Sequence, residues 1–303
     1  MFVRAVLILS AILVFAGRVR AQVTTTRPTE GITFEQDARS DPPVHFYVVT
    51  VDLSDPRIHL KVSRGGSDAG LKPPWETTLM PVSKIAERDG LSVAVNGSLF
   101  HAKDFQKMMG YQIPYFLGNW ARACGWTMSD GVLFSGSPLN MDCPSLVVSD
   151  RGKVTIGRLD RVPDAARQIV SGVWQLVVDG RINVGLDSAM SPTVGPHTAV
   201  GIDREGKTLT LFVVDGRRPK YSVGMGWHQI AEEMVHRGAW NALLLDGGGS
   251  TTLVMTDKAG KPGVVNYPSD GHDFPVELSI ERCVADALGV VIDGEAKSVT
   301  EHR

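Results

Sequence analysis

The sequence predicts an α/β domain on three observations. Strand-like runs rich in β-branched residues recur along the chain, two amphipathic stretches have helical spacing, and two apolar runs flanking the second stretch each stop at Asp-Gly. The chain has 303 residues, 43% hydrophobic and 21% charged, a composition that can bury a sizeable core. Its 32 glycines and 17 prolines call for many turns.

Along the chain, Arg4, the apolar run 5–16 and the small-residue site Val19-Arg20-Ala21 read as an export signal over residues 1–21. A mature start at Gln22 and a secreted or periplasmic protein follow. The apolar run is shorter than the roughly 20 residues a membrane span needs, so no stable membrane span is expected after cleavage. Residues 22–43, with Thr24-Thr25-Thr26-Arg27-Pro28 and Asp41-Pro42-Pro43, lack apolar periodicity and read as a flexible linker. The folded domain is expected over 44–293, with 294–303 as a tail.

Within that domain, 45–51 and 57–62 read as strands separated by the turn Ser54-Asp55-Pro56. Leu79, Val82, Ile85 and Ala86 fall at helical spacing, and Gly90 ends that helix. A strand over 91–95 runs into Asn96-Gly97-Ser98. The stretch 100–144, rich in Met, Gly, Trp and Tyr, reads as a surface loop region. Strands follow at 145–149, 153–156 and 172–178. A hairpin joins 198–203 to 207–214 through Arg204-Glu205-Gly206. Trp227, Ile230, Ala231, Met234 and Val235 form one helical stripe closed by Gly238. The nearly continuous apolar run 240–245 suits a strand buried on both faces.

Charge and cysteine content narrow the partners. The formal net charge is −2, and removing Arg4, Arg18 and Arg20 with the leader takes it to −5. No basic block appears, so nucleic acid is not an expected partner. Cys124, Cys143 and Cys283 are too few for a disulfide scaffold, and spacing leaves open whether Cys124 and Cys143 pair. The chain lacks GxxxxGK[ST], HExxH, GxSxG and a GxGxxG opening a helix, so neither a cofactor nor a metal is expected.

The chemistry concentrates in the second half. Asp215-Gly216 and Asp246-Gly247 each follow a strand. If the intervening helix is a crossover between parallel strands, both carboxylates stand at one sheet edge. Glycoside hydrolysis commonly uses one carboxyl to protonate the leaving oxygen and another to attack or activate water, and Asp215 with Asp246 could form that pair. Aspartates before glycine also serve simply as turn formers. The amides of Gly247, Gly248, Gly249 and Ser250 could converge on an anion as a nest, with Ser250, Thr251 and Thr252 adding hydroxyls, or the segment could be a plain hairpin loop. Arg217 and Arg218 could pair with a phosphate. Asn96 could bind a substrate hydroxyl or stabilise a turn, and His197 could face the same cleft.

The order Val95-Asn96-Gly97, Ser171-Gly172, His197-Thr198-Ala199-Val200-Gly201-Ile202-Asp203, Val213-Val214-Asp215-Gly216-Arg217, Leu245-Asp246-Gly247-Gly248-Gly249-Ser250-Thr251-Thr252 and Asn266-Tyr267-Pro268-Ser269-Asp270-Gly271 resembles the phosphodiester glycosidase family. The likeness runs from about residue 44 to 292. It implies a single mixed α/β (α+β) domain of curved, largely antiparallel sheet with packed helices. It also implies hydrolysis of a sugar linked through its anomeric oxygen to a phosphodiester. On matching positions it marks Asn96, Asp215, Arg217, Asp246, Gly248, Gly249, Ser250 and Thr251 as cleft residues. His197 stands where relatives often carry arginine.

The reading that follows is an exported hydrolase acting on a sugar phosphodiester or related surface glycan. Asp246 and Asp215 are its catalytic residues, and Asn96, His197, Arg217, Gly248, Gly249, Ser250 and Thr251 bind substrate. Two other readings stay open on the sequence: a non-catalytic glycan-binding or polysaccharide-assembly protein, and a metal-dependent phosphodiesterase.

Overall fold

The computed structural model describes residues 22–67, 70–108, 111–136, 143–183, 194–270 and 279–294. Their architecture follows from alternation of apolar side chains along strands, which buries successive residues on opposite sheet faces. The strands that position the site are, in chain order, β1 (Gln22–Thr29), β2 (Ile32–Ser40), β3 (Pro43–Asp52), β4 (Ile58–Arg64), β5 (Val93–Asn96), β6 (Trp174–Val178), β7 (Arg181–Ile182), β8 (His197–Ile202), β9 (Thr208–Val214), β10 (Asn241–Leu244), β11 (Leu253–Thr256), β12 (Pro262–Val264) and β13 (Asp286–Ile292). Two α-helices accompany them, α1 (Val82–Asp89) and α2 (Trp227–His236).

The main sheet has eight strands in the order β1-β2-β3-β9-β8-β10-β6-β7, and a second sheet has five in the order β12-β11-β5-β13-β4. Every pairing in both sheets is antiparallel. On one face of the main sheet Tyr47, Val49, Val51, Val200, Leu211, Val213 and Leu243 meet Val62, Val93, Val95, Leu253, Leu288 and Val290 of the second. Burial of this apolar surface, at about 25 cal/mol per Å², is the dominant force holding the two sheets together. A further five-stranded sheet closes the same core with Phe134, Leu146, Val148, Val154, Ile156 and Val170.

The expected α/β class is overturned. Among the described residues strands dominate, the sheets are several and antiparallel, and there are only two α-helices. Trp227, Ile230, Ala231 and Met234 of α2 lie over Phe46, Phe212 and Leu244 on the outer face of the main sheet. Val82, Ile85 and Ala86 of α1 lie against Ala94, Val254 and Ala287 of the second. The periodic stripes were real, but strand pairing on both sides of the central core sets the class.

The linker reading of 22–43 is also corrected. β1 and β2 form a hairpin, and β2 pairs with β3 from Ile32↔Val51 to Ser40↔Pro43. The leader-like segment 1–21 and residues 295–303 of the expected tail 294–303 lie outside the described residues. Among the described residues no helix is long and apolar enough to cross a membrane. Cys124, Cys143 and Cys283 are free and buried.

One topological detail sets the site. β9 and β10 each pair antiparallel with β8, His197↔Val214 on one side and Ala199↔Leu244 on the other. They therefore run parallel to each other with β8 between them, and α2 carries the chain across. Asp215 and Asp246 consequently leave the sheet at the same end, flanking the start of β8.

Candidate functional site

The two aspartates share an edge but have different surroundings. Asp215 is 1% exposed and Asp246 is 9% exposed. Both oxygens of Asp215 are engaged by the protein. Asn266 Nδ2 donates to Oδ1 at 2.9 Å, the Tyr267 amide donates to both oxygens at 3.0 Å, and the hydroxyls of Tyr47 and Tyr221 donate to Oδ2 at 3.1 Å each. Burial raises its pKa, and the Asn266, Tyr267, Tyr221 and Tyr47 donors oppose that rise. The same burial beside Asp215 pushes the Tyr221 hydroxyl up to about 12.

Asp246 is held by its backbone instead. Its N–H donates to the Gly97 carbonyl at 3.0 Å, and its carbonyl accepts from Asn96 Nδ2 at 2.7 Å. Its carboxyl accepts the Gly247 amide at 2.9 Å through Oδ1. Burial raises the Asp246 pKa, and the Asp270 charge adds to that rise. The Ser250 hydroxyl, the Arg282 charge and the Gly247 amide act the other way. A buried carboxyl with a raised pKa at a strand end is a candidate for proton transfer.

Asn96 is a brace. It is fully buried, and its Oδ1 accepts from Thr198 Oγ1 at 2.7 Å and from the Thr252 amide at 3.2 Å while its Nδ2 holds Asp246. One amide thus ties β5, β8 and both ends of the glycine loop together.

The loop itself is folded tightly. Gly248–Ser250 form a single 3₁₀ turn, with Gly249 and Ser250 buried. Three of the four amides expected to converge on an anion are already committed: Gly247 to Asp246 Oδ1, Gly248 to the Pro196 carbonyl at 2.9 Å, and Ser250 to the Gly247 carbonyl at 3.2 Å. The Thr251 amide likewise donates to the Gly248 carbonyl at 3.2 Å. Thr251 is 1% exposed, and its buried hydroxyl has no hydrogen-bond partner. The glycines are needed for close approach. A Cβ on Gly248 would lie 2.8 Å from Arg217 Nη2, and one on Gly249 would collide with both Asp270 and Arg282.

Two cationic groups border this turn. Arg217 is exposed, holds a left-handed backbone at φ 62°, and has no hydrogen-bond or ion-pair partner among the described residues. A non-glycine residue kept in that region costs on the order of 1–3 kcal/mol and signals a constrained, commonly functional position. Arg282 is paired with Asp270 through two bonds of 2.7 Å and lies 3.8 Å over the Tyr115 ring. Arg218, adjacent to Arg217 in sequence, is buried and stacks 4.1 Å from the Tyr267 ring centre while donating to the Pro268 carbonyl.

His197 opens β8 between the two aspartates. Its Nε2 is buried without a partner, its ring meets Trp227 edge-on at 6.5 Å, and a Cβ on Gly247 would lie 2.9 Å from its Nδ1. Burial, with the Arg217 charge adding to it, lowers its pKa to about 4, so the imidazole is neutral at physiological pH.

The structure therefore gathers Asp246, His197, Arg217, Gly248, Gly249, Ser250 and Thr251 at one sheet end, with Asn96 and Asp215 beneath them as fully hydrogen-bonded supports. Sequence reasoning missed the Asp270–Arg282 pair, the Asn266 bridge from Asp215 to the Thr251 carbonyl, and Asp286. Asp286 had one signal available: it is an acid inside the otherwise apolar run 284–292.

Comparison with known proteins identifies a family. The family described as phosphodiester glycosidase matches residues 89–291. N-acetylglucosamine-1-phosphodiester alpha-N-acetylglucosaminidase of Mus musculus is 29% identical over 237 residues, 72% of this chain and 40% of that protein. The Homo sapiens protein of the same name is 32% identical over 117 residues, 34% of this chain and 21% of that protein. The matched part thus spans less than half the length of these relatives. Among solved structures, the zebrafish N-acetylglucosamine-1-phosphodiester alpha-N-acetylglucosaminidase catalytic domain, auto-inhibited by its pro-peptide, has a TM-score of 0.63 at 23% identity, covering 90% of this chain and 88% of that one. A hypothetical protein from Synechocystis has a TM-score of 0.56 at 18% identity, covering 90% of this chain and 64% of that one. These two likenesses concern the fold.

Proposed function

This chain belongs to the phosphodiester glycosidase family, and on that premise we propose that it hydrolyses the glycosyl bond of a sugar-1-phosphodiester, releasing free sugar and a phosphomonoester. Water adds to the anomeric carbon, the bond from that carbon to the phosphate oxygen breaks, and the oxygen leaves with the phosphate. The related enzymes of mouse and human carry N-acetylglucosamine-1-phosphodiester in their names, which makes an N-acetylated hexose the first sugar to test. The leader-like residues 1–21 support export, and hence an extracytoplasmic substrate such as a surface glycan.

The supporting observation is the contrast between the two aspartates. Asp215 has both oxygens taken by protein donors, whereas Asp246 is held chiefly through its backbone and its buried carboxyl has fewer donors, the Gly247 amide and the Ser250 hydroxyl. Asp246 is therefore the reacting carboxyl, acting at the anomeric carbon directly or by taking a proton from water, and its raised pKa makes it a stronger base than an ordinary aspartate. Asp215 is the support that fixes Asn266 and Tyr267 beside it. A departing phosphate is a weak base and calls for charge stabilisation more than for protonation. The unpaired Arg217 guanidinium supplies that stabilisation, with neutral His197 and the Thr251 hydroxyl as further polar contacts.

The test is release of free sugar from a panel of sugar-1-phosphodiesters by the purified protein and by Asp246→Asn. We expect the variant to fold normally and to lose roughly a hundred- to ten-thousandfold in kcat/KM. An unchanged rate would refute the assignment of Asp246, and glycan binding without turnover by the unmodified protein would favour the binding-module reading.

A further inference from the structure

Behind Asp246 lies a second acidic side chain with no surface of its own. Asp286 begins β13 and is fully buried. Its Oδ1 accepts the Ser98 amide at 2.8 Å, and its backbone carbonyl accepts the Gly97 amide at 3.0 Å. Its Oδ2 is buried with no hydrogen-bond partner, and no cation pairs with it among the described residues. The fit is close enough that a Cβ on Gly97 would collide with the Asp286 carboxyl.

The turn that Asp286 grips is the one that holds Asp246. The Gly97 carbonyl accepts the Asp246 amide, and Asn96 Nδ2 donates to the Asp246 carbonyl. Both backbone polar groups of Asp246 therefore end on residues 96 and 97, and residues 97 and 98 end on Asp286. An ionised carboxylate with one oxygen unpartnered in a dry interior is strongly disfavoured, whereas the neutral acid still accepts the Ser98 amide.

We propose that Asp286 is a positioning residue for Asp246: a buried carboxyl that clamps the 96–98 turn in its neutral, protonated form, so that it does not compete with Asp246 as a second charged group in this corner of the site. This builds on the assignment of Asp246 as the reacting group. The titratable groups facing Asp286 are Asp246 and Cys124. Burial raises the Asp286 pKa to about 7, the Ser98 amide and hydroxyl oppose the rise, and the Asp246 charge adds to it.

The test compares Asp286→Asn and Asp286→Ala with the unmodified chain. Asparagine keeps a neutral acceptor for the Ser98 amide, whereas alanine leaves that amide unpaired. The folded chain keeps the Asp286 proton up to about pH 7, while the unfolded chain releases it near pH 4. Between these values the folded state binds more protons, so its stability falls as pH rises, by up to about tenfold in the unfolding constant per pH unit. Asp286→Asn removes that contribution. We expect it to be at least as stable as the parent at pH 7, to show a shallower loss of stability from pH 4 to 7, and to retain most of the turnover.

Asp286→Ala should lower kcat at least tenfold with KM within about threefold, the pattern of a misplaced reacting group. Full activity in Asp286→Ala, or an Asp286→Asn variant less stable than the parent at pH 7, would overturn the proposal. If the unmodified protein releases no sugar from any phosphodiester, the functional reading fails by itself, and the stability comparison with Asp286→Asn still decides the protonation state.

Discussion

Replacing Arg217 by glycine should raise stability and lower activity in the same molecule. Arg217 sits at φ 62°, where contact between Cβ and the following carbonyl costs a non-glycine residue roughly 1–2 kcal/mol. Glycine removes that contact and gives back about 0.5–1 kcal/mol through its more mobile unfolded chain. The guanidinium has no hydrogen-bond or ion-pair partner among the described residues, so the folded state loses no such contact. The net gain is about 0.5 kcal/mol, which for a domain of this size raises Tm by about 1–2 °C.

Activity moves the other way. A pair of charge-assisted bonds from Arg217 to phosphate is worth about 1.5–3 kcal/mol each when fully desolvated. Because Arg217 is exposed, roughly half of that total is expected, about 1.5–3 kcal/mol. Such a loss lowers kcat/KM by about 13- to 160-fold. Arg217→Ala keeps the backbone strain and loses the cation, so it should match the activity loss without the stability gain. Urea or thermal unfolding gives the first quantity, and initial rates on a sugar-1-phosphodiester give the second. Unchanged kcat/KM in Arg217→Gly, or a stability loss beyond about 1 kcal/mol, would refute the reasoning.

Other outcomes follow from the same geometry. Asp215→Asn turns one acceptor oxygen into a donor facing the Tyr47 and Tyr221 hydroxyls, Asn266 and the Tyr267 amide. It should destabilise the fold by about 1–3 kcal/mol, seen as a lowered urea midpoint. An unaltered midpoint would mean the carboxylate cage carries no load. His197 is lowered to about 4 in the fold, below the ordinary value near 6.5. Between those values the unfolded chain binds the extra proton, so its contribution to stability is present above pH 6.5 and is lost as pH falls to 4. His197→Phe should flatten this acid limb in pH-dependent unfolding, and an unchanged limb would show that the imidazole is not held neutral.

The parts of the site legible in the sequence were those built from local order. An apolar run that stops at Asp-Gly announces a strand end, and the stripe of Trp227, Ile230, Ala231 and Met234 announced the helix that carries the chain from β9 to β10. These were enough to place Asp215 and Asp246 at one edge. What was not legible depends on partners far apart in the chain. Asn96 read as a turn residue, yet its side chain bonds Thr198, Asp246 and Thr252, at separations of 102, 150 and 156 residues. The hairpin of β1 and β2 escaped because edge strands such as Gln22–Thr29 are mostly exposed and need no apolar alternation. The α/β expectation gave two genuine helical stripes too much weight against many short strands whose pairing is set by tertiary contact. The glycine run suggested an open nest, but most of its amides are occupied by neighbouring carbonyls and by Asp246 itself.

The central claim is that water attacks the sugar carbon and not the phosphorus. Hydrolysis of a sugar-1-phosphodiester in water enriched with heavy oxygen, followed by mass spectrometry of both products, reads this directly. The label should appear in the free sugar and be absent from the phosphomonoester, with formation of both slowed at least about a hundredfold in Asp246→Asn. Label in the phosphate, with the sugar released still phosphorylated, would contradict the account and point to a phosphodiesterase.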